Sequence, residues 1–185
     1  PFADETFLAK VKERIIEPTV NGLQSEGIDY VGFIFIGLIM VKGEPLVIEY
    51  NCRMGDPETE VVIPRLKNDF AEILKATGEK RLDAIKLEVE DRAACTIMTV
   101  SRGYPGAYEK GFEITGLEAP DNGSIIFHAG TELKEGKVLT NGGRVLCVTS
   151  LSENLQDAVR LSKSALDNID FDGMYFRRDI GYEFE

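Results

Sequence analysis

Apolar positions recur along this chain with two different periods, and the change of period divides it. From Asp4 to Glu26, Phe7, Leu8, Val11, Ile15, Val20 and Leu23 fall at helical spacing, which predicts a helix with one buried face. Pro18 lies inside that pattern, so a kink or break near Glu17 is expected. The run "YVGFIFIGLIM", Tyr30 to Met40, is nearly all apolar and reads as a strand buried on both faces. Its glycines, Gly32 and Gly37, mark places of close backbone approach. "VKGEP" is a hairpin turn and "LVIEYN" the return strand of a central antiparallel hairpin. Glu49 and Asn51 therefore lie at the strand end, two apart and on one face. Pro57 then suits a helix start, with apolar spacing from Thr59 to Lys67. "NDFAEILKATGEKRL" predicts a second short helix, capped by Asn68 or Asp69 and closing near Gly78.

From about Asp91 the period shortens. "ACTIMTVS", "FEITGL", "SIIFHAGT", "KVLTN" and "GRVLCVTSLS" read as short strands of a β-meander, separated by turns rich in Gly, Pro, Asn and Asp. "ENLQDAVRLSKSALDNI" is an amphipathic helix, and "MYFRRDIGYEF" a last short strand or ordered coil.

Composition narrows the function classes. The chain has 185 residues and a net charge of −11, which disfavours nucleic acid and anionic membranes as partners. No apolar run approaches the ~20 residues of a membrane span. The opening "PFADETFLAK" shows no secretory signal and no initiator Met, so the chain is expected to begin inside a longer protein. Cys52, Cys95 and Cys147 have no pairing or zinc-ligand spacing, which predicts free thiols in a reducing cytoplasm. Any phosphate must then be met by a few placed cations or by a metal.

The chemistry gathers in "VIEYNCRMGDPETE". Glu49 and Asn51 offer two hard oxygen donors, which suit Mg²⁺ bound together with substrate phosphates. Arg53 supplies a planar fork for a phosphate, and Gly55 permits a sharp turn. Asp56 and Glu58 would face the reacting group in a phosphoryl-transfer layout. By residue type alone, a capped turn with a surface salt bridge fits this stretch as well.

The longer segment "VIEYNCRMGDPETEVVIPRLKNDF" resembles the signature of the phosphoribosylamine–glycine ligase family, the glycinamide ribonucleotide synthetases of the ATP-grasp superfamily. The resemblance continues through "GYPGAYEKG", "FHAGT", "TNGGRVLCVT" and "RRDIGYEF", and before the signature through "ERIIEPTVNGLQSEGIDYVGFIFIGLIM". It implies an α/β (α+β) chain: the C-terminal part of an ATP-grasp core with antiparallel sheet over 1–90, then a small β-rich C-terminal domain with one packed helix over 91–185. It also implies ligation of glycine to 5-phosphoribosylamine with ATP, through a glycyl phosphate, in purine biosynthesis. The cofactors implied are ATP and Mg²⁺ or Mn²⁺; the partners are those small molecules and the missing N-terminal part of the same protein. Carried over by position, Glu49 and Asn51 match the metal ligands, and Arg53 an arginine beside the transferred phosphate. Gly55, Asp56, Pro57 and Glu58 match a loop near the acceptor substrates, with Asp56 suited to the ammonium of glycine. The wider superfamily often carries one more acid before the hairpin turn; here "FIGLIM" has none. A fragment of this kind is expected to be inactive alone, and a non-catalytic ATP-grasp-like binding or assembly module is the alternative.

Other residues admit two readings. His128 suits a hydrogen-bonded structural role more than a base. Arg102 and Lys110 in "SRGYPGAYEKG" could serve a phosphate loop or simply flank a Gly-Pro turn. Arg144, after the Asn141-Gly142 hairpin signature, points either at a cleft or into solvent. Arg177 and Arg178 are expected to pair with acids such as Asp179. The run Phe33 to Met40 is core first, with an adenine ring against its edge as a secondary use.

Overall fold

The structure, a computed structural model, describes residues 3–118 and 123–184. The chain divides into two compact units: Pro1–Gly55 with Asn68–Leu87, and Asp56–Lys67 with Glu88–Glu185. The polypeptide thus passes from the first to the second at Gly55–Asp56 and returns at Lys67–Asn68.

The first unit opens with α1 (Glu5–Val11), capped by the Asp4 carboxylate on the Phe7 N–H, and continues into α2 (Glu17–Ser25). Pro18 does not break the helix. A π turn over Lys12–Ile16 precedes it, with Glu17 N–H bonded to Lys12 O, so the helix absorbs the missing proline donor by a shift of register. β1 (Phe35–Val41) and β2 (Glu44–Asn51) form an antiparallel hairpin. Its turn, Lys42–Gly43, has both φ angles positive, the conformation a tight two-residue hairpin requires. Lys10 Nζ ties the helix to this turn through Gly43 O (2.8 Å) and Glu44 Oε1 (2.7 Å), and Arg14 also pairs with Glu44. The Lys10 bond, helped by Arg14, holds the Glu44 carboxyl below its ordinary range. α4 (Phe70–Gly78) starts at Asp69, whose side chain accepts from Ala71 N, and Phe70 stacks on Phe33 with centroids 6.3 Å apart.

Two expectations for this hairpin are corrected. The strand begins at Phe35 rather than Tyr30, and it is not buried on both faces: Ile39 and Met40 are exposed, as are Leu46 and Ile48 on the return strand, Ile48 by 65%. Among the described residues the sheet has only these two strands, and the exposed Ile39 and Met40, being adjacent, point to opposite faces.

The second unit begins with α3 (Thr59–Val62), continued by a 3-10 turn over Ile63–Arg65. Arg65 Nη2 donates to Glu90 O (2.9 Å), and Glu90 N donates to Arg65 O (2.7 Å), which returns the segment to the main body of the unit. β3 (Ala93–Val100), β4 (Ile125–His128) and β7 (Arg144–Ser152) form one antiparallel sheet in the order β3-β7-β4. β5 (Thr131–Lys134) and β6 (Lys137–Thr140) form a separate hairpin. This is not the meander expected, because the last strand inserts between β3 and β4. "FEITGL" makes no strand: Glu113 bridges to Leu139 and Thr115 to Asp170, two different partners that cannot share one ladder. α5 (Leu155–Leu166), capped by Asn154 on Asp157 N, packs Ala158, Ser162, Ala165 and Leu166 against the sheet. The core there is Cys95, Ile97, Leu146, Val148, Ile169, Phe171 and their neighbours.

A short chain of hydroxyls crosses this core. Ser124 Oγ lies 2.6 Å from Ser150 Oγ, and Ser162 Oγ lies 2.8 Å from Ser150 Oγ and 2.9 Å from Cys95 O. All three serines are buried, and each finds a partner among the others or on the backbone.

All three cysteines are free thiols: Cys52 is exposed, Cys95 and Cys147 are buried. Burial, with the Glu60 carboxylate adding to it, pushes the Cys147 thiol up to about 12. Its folded value lies above the ordinary one, so its contribution to stability is present below the ordinary thiol value and is lost as pH climbs towards about 12. At pH 8 a thiol reagent is therefore expected to label Cys52 alone in the native protein, and Cys95 and Cys147 only after denaturant is added. Rapid native labelling at Cys147 would contradict this burial.

Candidate functional site

The predicted residues fall on both units. Glu49, Asn51, Arg53 and Gly55 belong to the first, and Asp56, Pro57 and Glu58 to the second.

In the first unit, a β-bulge shapes the end of β2. Gly37 pairs with Glu49 and Leu38 with Val47, so Ile48 is the extra residue and the strand bends just before the polar positions. Glu49 lies over Gly37: a Cβ added at that glycine would stand 3.0 Å from Glu49 Cγ, so the bare backbone makes room for the carboxylate arm. Asn51 Nδ2 donates to Glu49 Oε1 (2.9 Å), Arg53 Nη2 reaches Asn51 Oδ1 (3.4 Å), and Arg53 Nη1 donates to Met54 O (2.7 Å). Acid, amide and guanidinium thus form one row. Glu49 and Arg53 are exposed, Asn51 is half-buried, and Gly55 is buried.

The donor set fits a hard divalent cation. A carboxylate and an amide already in contact need only a half-turn of the Asn51 amide to present two oxygens together. The described residues hold no group of three or more His, Cys, Asp or Glu able to bind a metal. Further ligands would therefore come from phosphate and water, the usual case for Mg²⁺.

In the second unit, Asp56 is held by a residue far along the chain. Arg144 Nη1 donates to Asp56 O (2.8 Å), and Arg144 Nη2 lies 3.3 Å from Asp56 Oδ2. Of the two readings left open for Arg144, the structure gives neither a bare solvated side chain nor an open cleft but this clasp. Glu58 is exposed, and Pro57 half-buried. Glu60 follows on α3, and its Oε2 is buried without a hydrogen-bond partner. Nothing local in the sequence marked Glu60 or the Arg144–Asp56 contact.

His128 is exposed and its Nδ1 lies 3.0 Å from Thr131 Oγ1, a local hydrogen bond. Arg102 faces Asp172 at 3.5 Å, beside a cleft of about 360 Å³ lined by Ser101, Tyr108, Glu109 and Phe112. Lys110 is not among its lining residues. Arg177 pairs with Asp179 at 3.0 Å as expected, whereas Arg178 lies over the Phe176 ring at 4.8 Å.

Comparison with known proteins bears on the whole arrangement. The family model described as phosphoribosylglycinamide synthetase, ATP-grasp (A) domain, matches residues 1–59, and the one described as phosphoribosylglycinamide synthetase, C domain, matches residues 94–183. The chain belongs to the phosphoribosylglycinamide synthetase family. Phosphoribosylamine–glycine ligases are among its relatives. The one from Synechocystis is 47% identical over 99% of this chain and 44% of its own length. The one from Caldanaerobacter subterraneus is 43% identical over 97% of this chain and 43% of its own. A human trifunctional purine biosynthetic protein, adenosine-3, is 44% identical over 98% of this chain and 18% of its own length. The chain thus spans less than half the length of the relatives it matches. The crystal structure of a phosphoribosylamine–glycine ligase from Thermotoga maritima superposes with a TM-score of 0.78 at 35% identity, over 93% of this chain and 42% of that one. An N5-carboxyaminoimidazole ribonucleotide synthetase from the same organism shares the fold, with a TM-score of 0.55 at 17% identity. No helix among the described residues is long and apolar enough to cross a membrane.

Proposed function

We propose that this chain forms the end of the ATP-grasp core (1–90) and the C domain (91–185) of a phosphoribosylamine–glycine ligase acting in the cytoplasm. The observation that carries this is the Glu49–Asn51 contact at the strand end, within a chain of this family. Glu49 and Asn51 would hold Mg²⁺ or Mn²⁺. Bound there, the metal would offset the charge of the ATP phosphates. Arg53 lies in the same row and offers its fork to the phosphate being transferred.

A carboxylate is a poor acylating agent because its oxide leaves badly. A carboxylate oxygen of glycine attacks the terminal phosphorus of ATP, and ADP departs, which leaves glycyl phosphate. The amine of 5-phosphoribosylamine then attacks the acyl carbon, phosphate leaves, and the amine loses a proton. The products are glycinamide ribonucleotide, ADP and phosphate. Gly55, Asp56, Pro57 and Glu58 would face the acceptors. Asp56 Oδ2 is engaged by Arg144, so Oδ1 is the atom it would offer to the ammonium of glycine.

The test is phosphate release by the complete ligase that carries this chain. Release is expected only when ATP, glycine and phosphoribosylamine are all present. The 185-residue chain alone is expected to turn over little, since a ligand held from one side keeps little of its burial. No phosphate release under any of these conditions would favour a non-catalytic binding module instead.

A further inference from the structure

We propose that Arg144 is a positioning residue of this ligase, fixing Asp56 and the acidic loop behind it for the acceptor substrate; the inference rests on the reading above. The two residues are 88 positions apart, and Arg144 grips both the main-chain oxygen and the carboxylate of Asp56. A planar guanidinium with two donors engaged sets the direction of the peptide and of the side chain together. Asp56, Glu58 and Glu60 bring three carboxylates within five residues, and Arg144 pairs with the first of them. Without it, Asp56 would lose both the bond to its main-chain oxygen and the ion pair on its carboxylate.

The arginine is itself anchored. Gly130 N donates to Arg144 O (2.9 Å), Ser101 N to Gly143 O (2.8 Å) and Ser101 Oγ to Gly142 O (2.9 Å). The Tyr104 ring covers Gly143 so closely that a Cβ there would stand 2.2 Å from it. Its Cα therefore has little freedom, and the guanidinium is held at one end and bonded at the other.

Stability does not account for this arrangement. Arg144 and Asp56 side chains are 36% and 43% exposed, and exposed ion pairs contribute only about 0–1 kcal/mol. The contact instead does what a site needs, which is to hold a loop bearing several acids in one orientation.

The experiment uses the complete ligase with Arg144→Ala and Arg144→Lys. For Arg144→Ala, kcat/KM for glycine is expected to fall about 10²-fold, the usual consequence of a displaced reacting group. KM for ATP should stay within about twofold, since the contact involves no part of the Glu49–Arg53 row. Arg144→Lys keeps the charge but loses the fork, so it should recover little, while added guanidinium should restore part of the alanine variant's rate. Amide exchange at Gly55 and Asp56 should quicken selectively in Arg144→Ala, a readout independent of ligase activity. If that variant folds poorly, Arg144→Lys and its amide exchange decide the matter. An unchanged glycine dependence in an active enzyme overturns the proposal. So does a defect confined to phosphoribosylamine, which would mark direct contact with that substrate. A wild-type enzyme without glycine-dependent turnover would instead sink the ligase reading, and unchanged exchange at Asp56 would sink the clasp as well.

Discussion

Replacing Glu49 by Gln in the complete ligase is expected to lower turnover by about 10²–10³-fold, the scale on which a single charge-stabilising group is lost from an active site. The substitution keeps shape and removes one charge. Glu49 is exposed at the end of β2, and its bond from Asn51 Nδ2 (2.9 Å) can be made equally to a glutamine oxygen. The arm still fits over Gly37. Melting temperature should therefore stay within a degree or two while Mg²⁺ dependence shifts to higher concentration. A variant that melts early, or one that works normally, would remove Glu49 from the metal role.

The largest loss of stability is expected at Leu166→Ala. Leu166 is 1% exposed at the end of α5, in a core shared with Ile97, Leu146, Val148 and Phe171. Truncating such a leucine removes its transfer energy and leaves a cavity, at a cost of about 2–5 kcal/mol. Urea unfolding followed by helix signal should show a midpoint well below wild type with a similar slope. A change under about 1 kcal/mol would mean that the core closes over the gap, contrary to its tight packing.

The hairpin and its acid–amide pair were legible in the sequence because both depend on local rules. Two-residue alternation puts Glu49 and Asn51 on one face, and Gly43 supplies the positive φ that a tight turn between strands favours. The helix cap at Asp69 obeys the same local chemistry. What could not be read depends on contacts across long stretches of chain. Insertion of β7 between β3 and β4 is a choice among pairings that periodicity leaves equal. The exposure of the first hairpin depends on what the rest of the unit lays against it, which an apolar run does not reveal. Arg144 looked like any hairpin arginine because its partner lies 88 residues earlier. Gly37, read only as a site of close approach, proved to be the seat of Glu49.

The linked serines between β7, α5 and the segment before β4 have a consequence for how this domain finds its alignment. Oily surfaces slide past one another at little cost, and a sheet packed only on leucine and valine tolerates several offsets. A hydroxyl trio favours the offset in which its oxygens meet. Moving β7 by a single position would turn Ser150 to the opposite face and cost Ser124 and Ser162 the oxygen they share. These three small side chains act as a locating pin: they add little adhesion, but they penalise a displaced β7, one device among the contacts that set its alignment.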